Sequence, residues 1–309
     1  GKVLVILKSE REAGEAVLTI SSDDLKPVQI HYTVTEETEE ATGADAQESA
    51  QAEVNGTAVS VDPVEITVPA GISVELPAAV RVHYTSDAGD YTLMRPVSWG
   101  ELTDGTAQGT IEGVDLAATA TVTEDAAMPL DVELASNPDL GEANDTFLFT
   151  DLEEGSAAAG LALATASFTG SVSNYPNNML DGNADTTWTN AYERGESVLL
   201  PANNASRKSD YVEFYWNEAK VMNQISLSFE NNRYCAVPEN LIVEYWNGID
   251  WQQVNGQTMT QEGEDAPVTL QFGAVYTDRI RVYMENGTPF TSKGNIEISE
   301  ASVKLVNAQ

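Results

Sequence analysis

Eight consecutive residues carry the densest chemistry in the chain: Asp181-Gly182-Asn183-Ala184-Asp185-Thr186-Thr187-Trp188. A tight glycine-containing loop of this kind can fold a carboxylate, a hydroxyl and several carbonyls around one centre. Hard cations such as calcium ask for that, taking about six to eight oxygen ligands at roughly 2.3–2.6 Å. The same residues also suit a plain Asp-Gly turn beside a core tryptophan, and the motif alone leaves both readings open. Three further segments combine aromatic and polar groups in the way that suits sugars, where a ring face meets C–H groups and an Arg bridges hydroxyls. Asn190 and Tyr192 follow Trp188, which is itself expected in the core. Glu230-Asn231-Asn232-Arg233-Tyr234 makes a second segment, with Asn232 and Arg233 as candidate contacts. Asn286 to Lys293 makes a third, with Phe290 among Gly and Pro turn residues. An exposed Phe290 would be a stacking surface, and a buried one a loop plug.

Other chemistries find little material. The chain has two histidines and one cysteine, and no GxSxG, HExxH, P-loop or Cys/His nucleophile pattern. Among 49 acidic residues, chance pairs of carboxylates carry no information about glycoside hydrolysis. The expectation is a non-catalytic chain. Its formal net charge of −34 repels phosphate backbones and anionic lipid, so no nucleic-acid partner is expected. No apolar run approaches the roughly 20 residues of a membrane span, so no membrane insertion is expected either. Cys235, being alone, excludes an intramolecular disulfide. His83 alternates with Val82 and Tyr84 and reads as a surface histidine rather than a ligand.

The elements that must hold these loops are strands. Alternating β-branched runs occupy residues 17–20, 28–34, 80–84, 118–122, 211–215, 241–245 and 279–283, divided by Gly, Asn, Asp and Pro turns. The predicted fold class is all-β, a sandwich or jelly roll. At 309 residues the chain has room for two or three domains. Residues 1–34 carry three expected strands (2–8, 15–20 and 28–34) that either close a truncated Ig-like sandwich or dock on a neighbour. Residues 35–57 form an acidic linker, since a like-charge block such as Glu36 to Glu40 is normally solvated. Residues 58–124 form a small sandwich with Trp99 as a core anchor. Residues 125–158 connect it to a last domain, 159–309, and include a short apolar run, Phe147-Leu148-Phe149. Trp246 and Trp251 flank an Asn-Gly turn and read as the structural aromatics of a hairpin. The chain opens on apolar Val3 to Leu7 and is expected to be a piece of a longer polypeptide, with export encoded upstream.

Several stretches resemble known families. "LATASFTGSVSNYPNNMLDGNADTTWTNAY" resembles the opening of discoidin-type (coagulation factor F5/8 type C) domains and family 32 carbohydrate-binding modules. "RYCAVPENLIVEYWNGIDWQQV", "YTDRIRVYME" and "IEISEASVKL" extend that resemblance in order along the domain. It implies an eight-stranded antiparallel jelly roll with binding loops at one end, and a structural Ca2+. The implied ligands are the Asp181 carboxylate, the Thr186 hydroxyl and carbonyl, the carbonyls of Leu180 and Asn183, the Ser299 carbonyl and the Glu300 carboxylate. One ion would then tie the first loop to the final strand. The family's binding arginine falls on Arg233. In galactose-binding relatives a His and then an aromatic follow the motif tryptophan, and those places fall on Thr189 and Tyr192, which leaves galactose specificity open. "VPAG…LPAAVRVHYTSDAGDYTLMRPVSW…GTIEGVDLAATATVT" resembles a bacterial Ig-like domain of group 4, which implies a spacer. The opening "GK-LVIL-S" pattern is similar to the closing strands of the last sandwich in family 2 glycoside hydrolases. Together these imply an accessory region of a secreted or cell-surface bacterial enzyme, β-galactosidase-like, whose catalytic domain lies upstream in the same polypeptide. Its partner would be a glycan of galactose type or a related sugar. Two other readings are a structural or oligomerisation module and a surface adhesin.

Overall fold

The computed structural model describes residues 14–22, 25–34, 56–87, 89–137, 161–170, 173–191, 209–232, 235–285 and 295–307. The expected strand at 2–8, the acidic block at 36–40 and the apolar run at 147–149 lie outside them. The chain divides into two compact units, one of residues 1–60 and 83–93, the other of 61–82 and 94–309. In the first, β1 (Gly14–Ser22) and β2 (Leu25–Val34) form an antiparallel hairpin with Gly14 opposite Val34.

The strands β3 (Thr57–Val61), β4 (Val64–Val68), β5 (Ala79–Thr85), β6 (Tyr91–Trp99), β7 (Thr106–Ile111) and β8 (Ala117–Glu124) form one sheet in the order β3-β5-β6-β7-β8-β4. The β4–β8 pair is parallel, Val64 lying opposite Ala120. Alternation buries Ile66, Val68, Val82, Ala107, Ile111, Ala118 and Ala120, as period-2 patterning requires of a half-buried sheet. His83, between buried Val82 and Tyr84, is only partly covered. Trp99 is not the buried anchor expected. It is half-buried, its ring lies against Gly109, and its indole N–H donates to the Pro77 carbonyl at 2.7 Å.

The C-terminal part is built on two long strands, β12 (Ser209–Phe229) and β16 (Val268–Glu285). Around them lie β9 (Val132–Glu133), β10 (Leu163–Ala166), β11 (Trp188–Thr189), β13 (Asn240–Trp246), β14 (Trp251–Gln253), β15 (Thr258–Thr260) and β17 (Glu297–Leu305). β12 and β16 pair antiparallel along almost their whole length, but the register slips between Tyr215 and Lys220, where Trp216 to Ala219 face Asp278 alone. Extra residues on one strand bend it and add twist. Before the slip β12 pairs with β10, and after it with β17. The two strands thus serve both layers of a curled sheet, which is how a jelly roll encloses a core. Trp188, Phe214, Trp216, Met222, Ile225, Leu227, Leu270, Ile280 and Val282 fill that core at 1% exposure or less. Each such side chain contributes about 1.5–3 kcal/mol by leaving water.

Candidate functional site

The Asp181 motif begins where a short 3₁₀ turn, Pro176–Leu180, ends. Buried Met179 and Leu180 hold that turn in the core. Gly182 then takes a left-handed φ of 70°, which a side chain would strain. The loop closes on its own acid. Asp181 Oδ1 accepts the Asn183 N–H at 2.8 Å and Oδ2 accepts the Thr186 hydroxyl at 2.7 Å. The Asn183 carbonyl also accepts the Thr186 hydroxyl at 2.9 Å, and its Oδ1 accepts the Asp185 N–H at 3.1 Å. Such bonds are those of a well-formed Asx turn, and they also gather oxygens at one place.

Glu300 comes to the same place from β17, opposite Ser228 on β12. Its Oε1 is buried with no hydrogen-bond partner. Burial, then the charges of Asp181 and of Glu133, push its carboxyl up from its ordinary 4.5 to about 7. A buried carboxylate lacking a partner is costly, and a carboxyl pushed up by a neighbouring acid invites a cation. Ser299 beside it is buried, its hydroxyl donating to the Ser228 carbonyl at 3.4 Å. A cavity of about 220 Å³ lined by Glu133, Ser136, Ser226, Ser228, Glu300 and Ser302 opens at this point. Glu133 is already spoken for, accepting the N–H groups of Ala135 and Val303 and the Ser302 hydroxyl. Among the described residues no group of three His, Cys, Asp or Glu side chains could hold a metal ion by itself. A cation here would rest on the carboxylates of Asp181 and Glu300, the Thr186 hydroxyl and loop carbonyls, a donor set that suits calcium.

The strands also decide where the other loops begin and end. Thr189 lies opposite Glu297, and the Asn190 N–H donates to the Ile296 carbonyl at 3.1 Å. Ser209 lies opposite Glu285, and the Glu239 N–H donates to the Glu285 carbonyl at 3.2 Å. Cys235 bridges to Asn295. The residues flanking 192–208, 233–234 and 286–294 therefore converge on one rim, around the start of β17. Tyr192, Arg233 and Phe290 themselves lie outside the described residues.

Asn190 and Asn232 hold this rim together. Asn190 is 2% exposed. Its amide donates to Asp210 Oδ2 at 2.8 Å and its carbonyl oxygen accepts the Ile296 N–H at 2.7 Å. Its expected role as a sugar contact gives way to that of a buried clamp, because both ends of the side chain are already committed. Asp210, which sequence reasoning missed, also accepts the Ser167 hydroxyl at 2.6 Å. Asn232 is exposed. Its Oδ1 accepts the Cys235 N–H at 3.0 Å, and its amide donates to Glu297 Oε2 at 2.9 Å. Glu297, equally missed, accepts the Thr187 hydroxyl on its other oxygen at 3.0 Å, so the Asp181–Thr187 loop and Asn232 meet on one carboxylate. These contacts span up to 110 positions in sequence, and no local pattern announces them. Gly170 packs so closely against the Ala191 carbonyl that a Cβ there would clash with it. Burial, and next the neighbouring Glu297, push the Cys235 thiol up to about 12. Trp188 is fully buried, as expected, its indole N–H donating to the Phe168 carbonyl at 3.2 Å.

No protein-family model matches the chain, and no curated protein matches it. Solved structures do, and several are carbohydrate-binding modules. A chain of the β-galactosidase BgaA of Streptococcus pneumoniae is 16% identical, with 48% of this chain and 98% of that one covered and a TM-score of 0.38. A family 32 carbohydrate-binding module of NanJ from C. perfringens, in complex with galactose, is 15% identical over 46% of this chain and 93% of that one, with a TM-score of 0.33. A chitosan-binding module of a chitosanase/glucanase from Paenibacillus is 17% identical over 45% and 92%, also with a TM-score of 0.33.

Proposed function

We propose that the chain is a non-catalytic accessory region that binds carbohydrate on the rim of its C-terminal jelly roll. The observation that carries this reading is that the described residues flanking 192–208, 233–234 and 286–294 converge on one rim, held by the strands and the Asn190 and Asn232 clamps. A rigid frame is what a recognition surface requires. The sequence supplies, between those flanks, Tyr192 and Phe290 as ring faces for sugar C–H groups and Arg233 as a guanidinium for paired hydroxyls.

Calcium is proposed as the structural ion of the domain, held by Asp181, Thr186, the Leu180, Asn183 and Ser299 carbonyls, and Glu300. The unpartnered Glu300 Oε1 supports this. Bound there, the ion would supply positive charge between two carboxylates and fasten the first loop to the last strand. The wider setting, a secreted or cell-surface bacterial glycoside hydrolase of β-galactosidase type with its catalytic domain upstream, rests on the sequence resemblances. In such a protein the region would raise local substrate concentration by tethering enzyme to glycan.

The test is a glycan array followed by titration calorimetry on the calcium-loaded chain. Expected is weak binding to galactose-type or related sugars, lost in Tyr192→Ala, Arg233→Ala or Phe290→Ala while the circular dichroism spectrum stays unchanged. A folded, calcium-loaded chain that binds no sugar on either assay refutes the reading.

A further inference from the structure

β4 and β8 of the six-stranded sheet share an apolar cluster with the jelly roll. Ile66 and Val68 of β4 pack with Val221 of β12, Ala274 of β16 and Leu305 of β17, all under 10% exposed. Ile72, Val74, Leu76, Val122, Met128, Leu130 and Tyr276 close around them. The apolar cluster is framed by polar contacts. The Glu75 carboxylate accepts the Tyr245 hydroxyl at 3.0 Å and the Asn255 amide, and its backbone bridges in parallel to Val275. The Ala78 N–H donates to the Asn247 carbonyl at 3.1 Å, at the turn where Gly248 lies against Ala79.

The join between the two parts is also tied at both ends. Directly after β8, the Asp125 N–H donates to the Val68 carbonyl at 2.8 Å. Directly before β9, the Asp131 N–H donates to the Leu305 carbonyl at 2.8 Å and its carboxylate takes Lys304 at 2.9 Å. β9 then pairs with β17, Val132 opposite Leu305. A spacer joined by a free linker would look otherwise. Interfaces between independent domains are more polar than obligate ones and permit motion, whereas this one is apolar at its centre and cannot open without wetting the shared cluster.

We propose that the β4–β8 side of the six-stranded sheet and the jelly roll are one obligate folding unit, in which each part completes the packing of the other. The coupling is cooperative, because Ile66 and Val68 complete the packing of Val221, Ala274 and Leu305. Loss of one part unroofs the other. The inference does not depend on sugar binding, so it stands or falls separately from the proposed function.

Native-state hydrogen exchange on the full chain tests it, with Ile66→Ala as the main variant. A truncation of this size in a core weakens the most protected amides on the order of a hundredfold. The expected result is an equal loss in β8 of the sheet and in β12 and β17 of the jelly roll. Loss confined to the sheet, with β12 and β17 amides as slow as in the unaltered chain, overturns the proposal. Should Ile66→Ala fail to fold, Glu75→Gln removes only framing charge. Its smaller loss is expected to fall equally on both parts, and a loss on the sheet alone again overturns it.

Discussion

Glu300 shows how much a single atom can demand. Its folded-state carboxyl is raised to about 7 while the unfolded chain keeps the ordinary 4.5. Between these values the folded state holds the extra proton, and by linkage the contribution of this group to stability is full below about 4.5 and is lost as pH rises through about 7. In chelator, the thermal midpoint is expected to drop across that window for this reason. Glu300→Gln should flatten the drop, since the amide carries no charge to bury. Calcium should reverse it above pH 7 in the unaltered chain and do nothing for the Gln variant. A pH profile identical in the two proteins would refute the role given to this side chain. Asn190 teaches the complementary lesson. Its place beside a motif tryptophan and an aromatic residue suggested a contact to ligand, yet the buried acid waiting for it, Asp210, lies twenty positions on and could not be paired with it from sequence.

At the scale of elements, the outer face of the β12–β16–β13–β14 layer carries a ladder. The Arg281 guanidinium lies 5.0 Å from the Tyr211 ring centre and 4.3 Å from that of Trp251, and pairs with Glu244 at 2.6 Å and Glu213 at 3.7 Å. Arg279 sits likewise between Tyr215 and Trp246, at 5.5 and 5.3 Å. Burial pushes the Glu213 carboxyl up, and Arg281 is the largest influence opposing that. Arg281→Ala strands an acid that is 8% exposed and should cost about 2–4 kcal/mol in urea unfolding. Arg281→Lys, keeping charge but losing the planar stack, should fall between. An Ala variant within about 0.5 kcal/mol of the parent would leave the ladder without energetic weight. The strands themselves were legible. All seven alternating runs lie within β1, β2, β5, β8, β12, β13 and β16, and Trp246 faces Trp251 across the hairpin, 5.8 Å apart and edge-on. What the local pattern does not show is where strands continue. β12 runs on past the alternating run at 211–215, through polar Asn217-Glu218, where a bulge shifts the register. The parallel β4–β8 pair and the β9–β17 pair join distant segments that no local period connects.

For the whole molecule, charge is the governing quantity. A net −34 over 309 residues means that the folded chain compresses repelling carboxylates. Raising NaCl from about 0.01 M to about 0.15 M shortens the screening length from roughly 30 Å to roughly 8 Å. The thermal midpoint should rise by a few degrees in consequence, in chelator, so that cation binding plays no part. A flat or falling midpoint would mean that local ion pairs such as those of Arg281 outweigh the overall repulsion. The lone thiol bears on the molecule's fate outside a reducing compartment. With Cys235 2% exposed and its pKa near 12, the thiolate is on the order of one part in 10⁵ at neutral pH. An odd cysteine ordinarily invites cross-linking between copies, but here oxidants meet almost no nucleophile. The folded protein should stay a single covalent chain in air, and engineered surface cysteines could carry probes without competition from the native one.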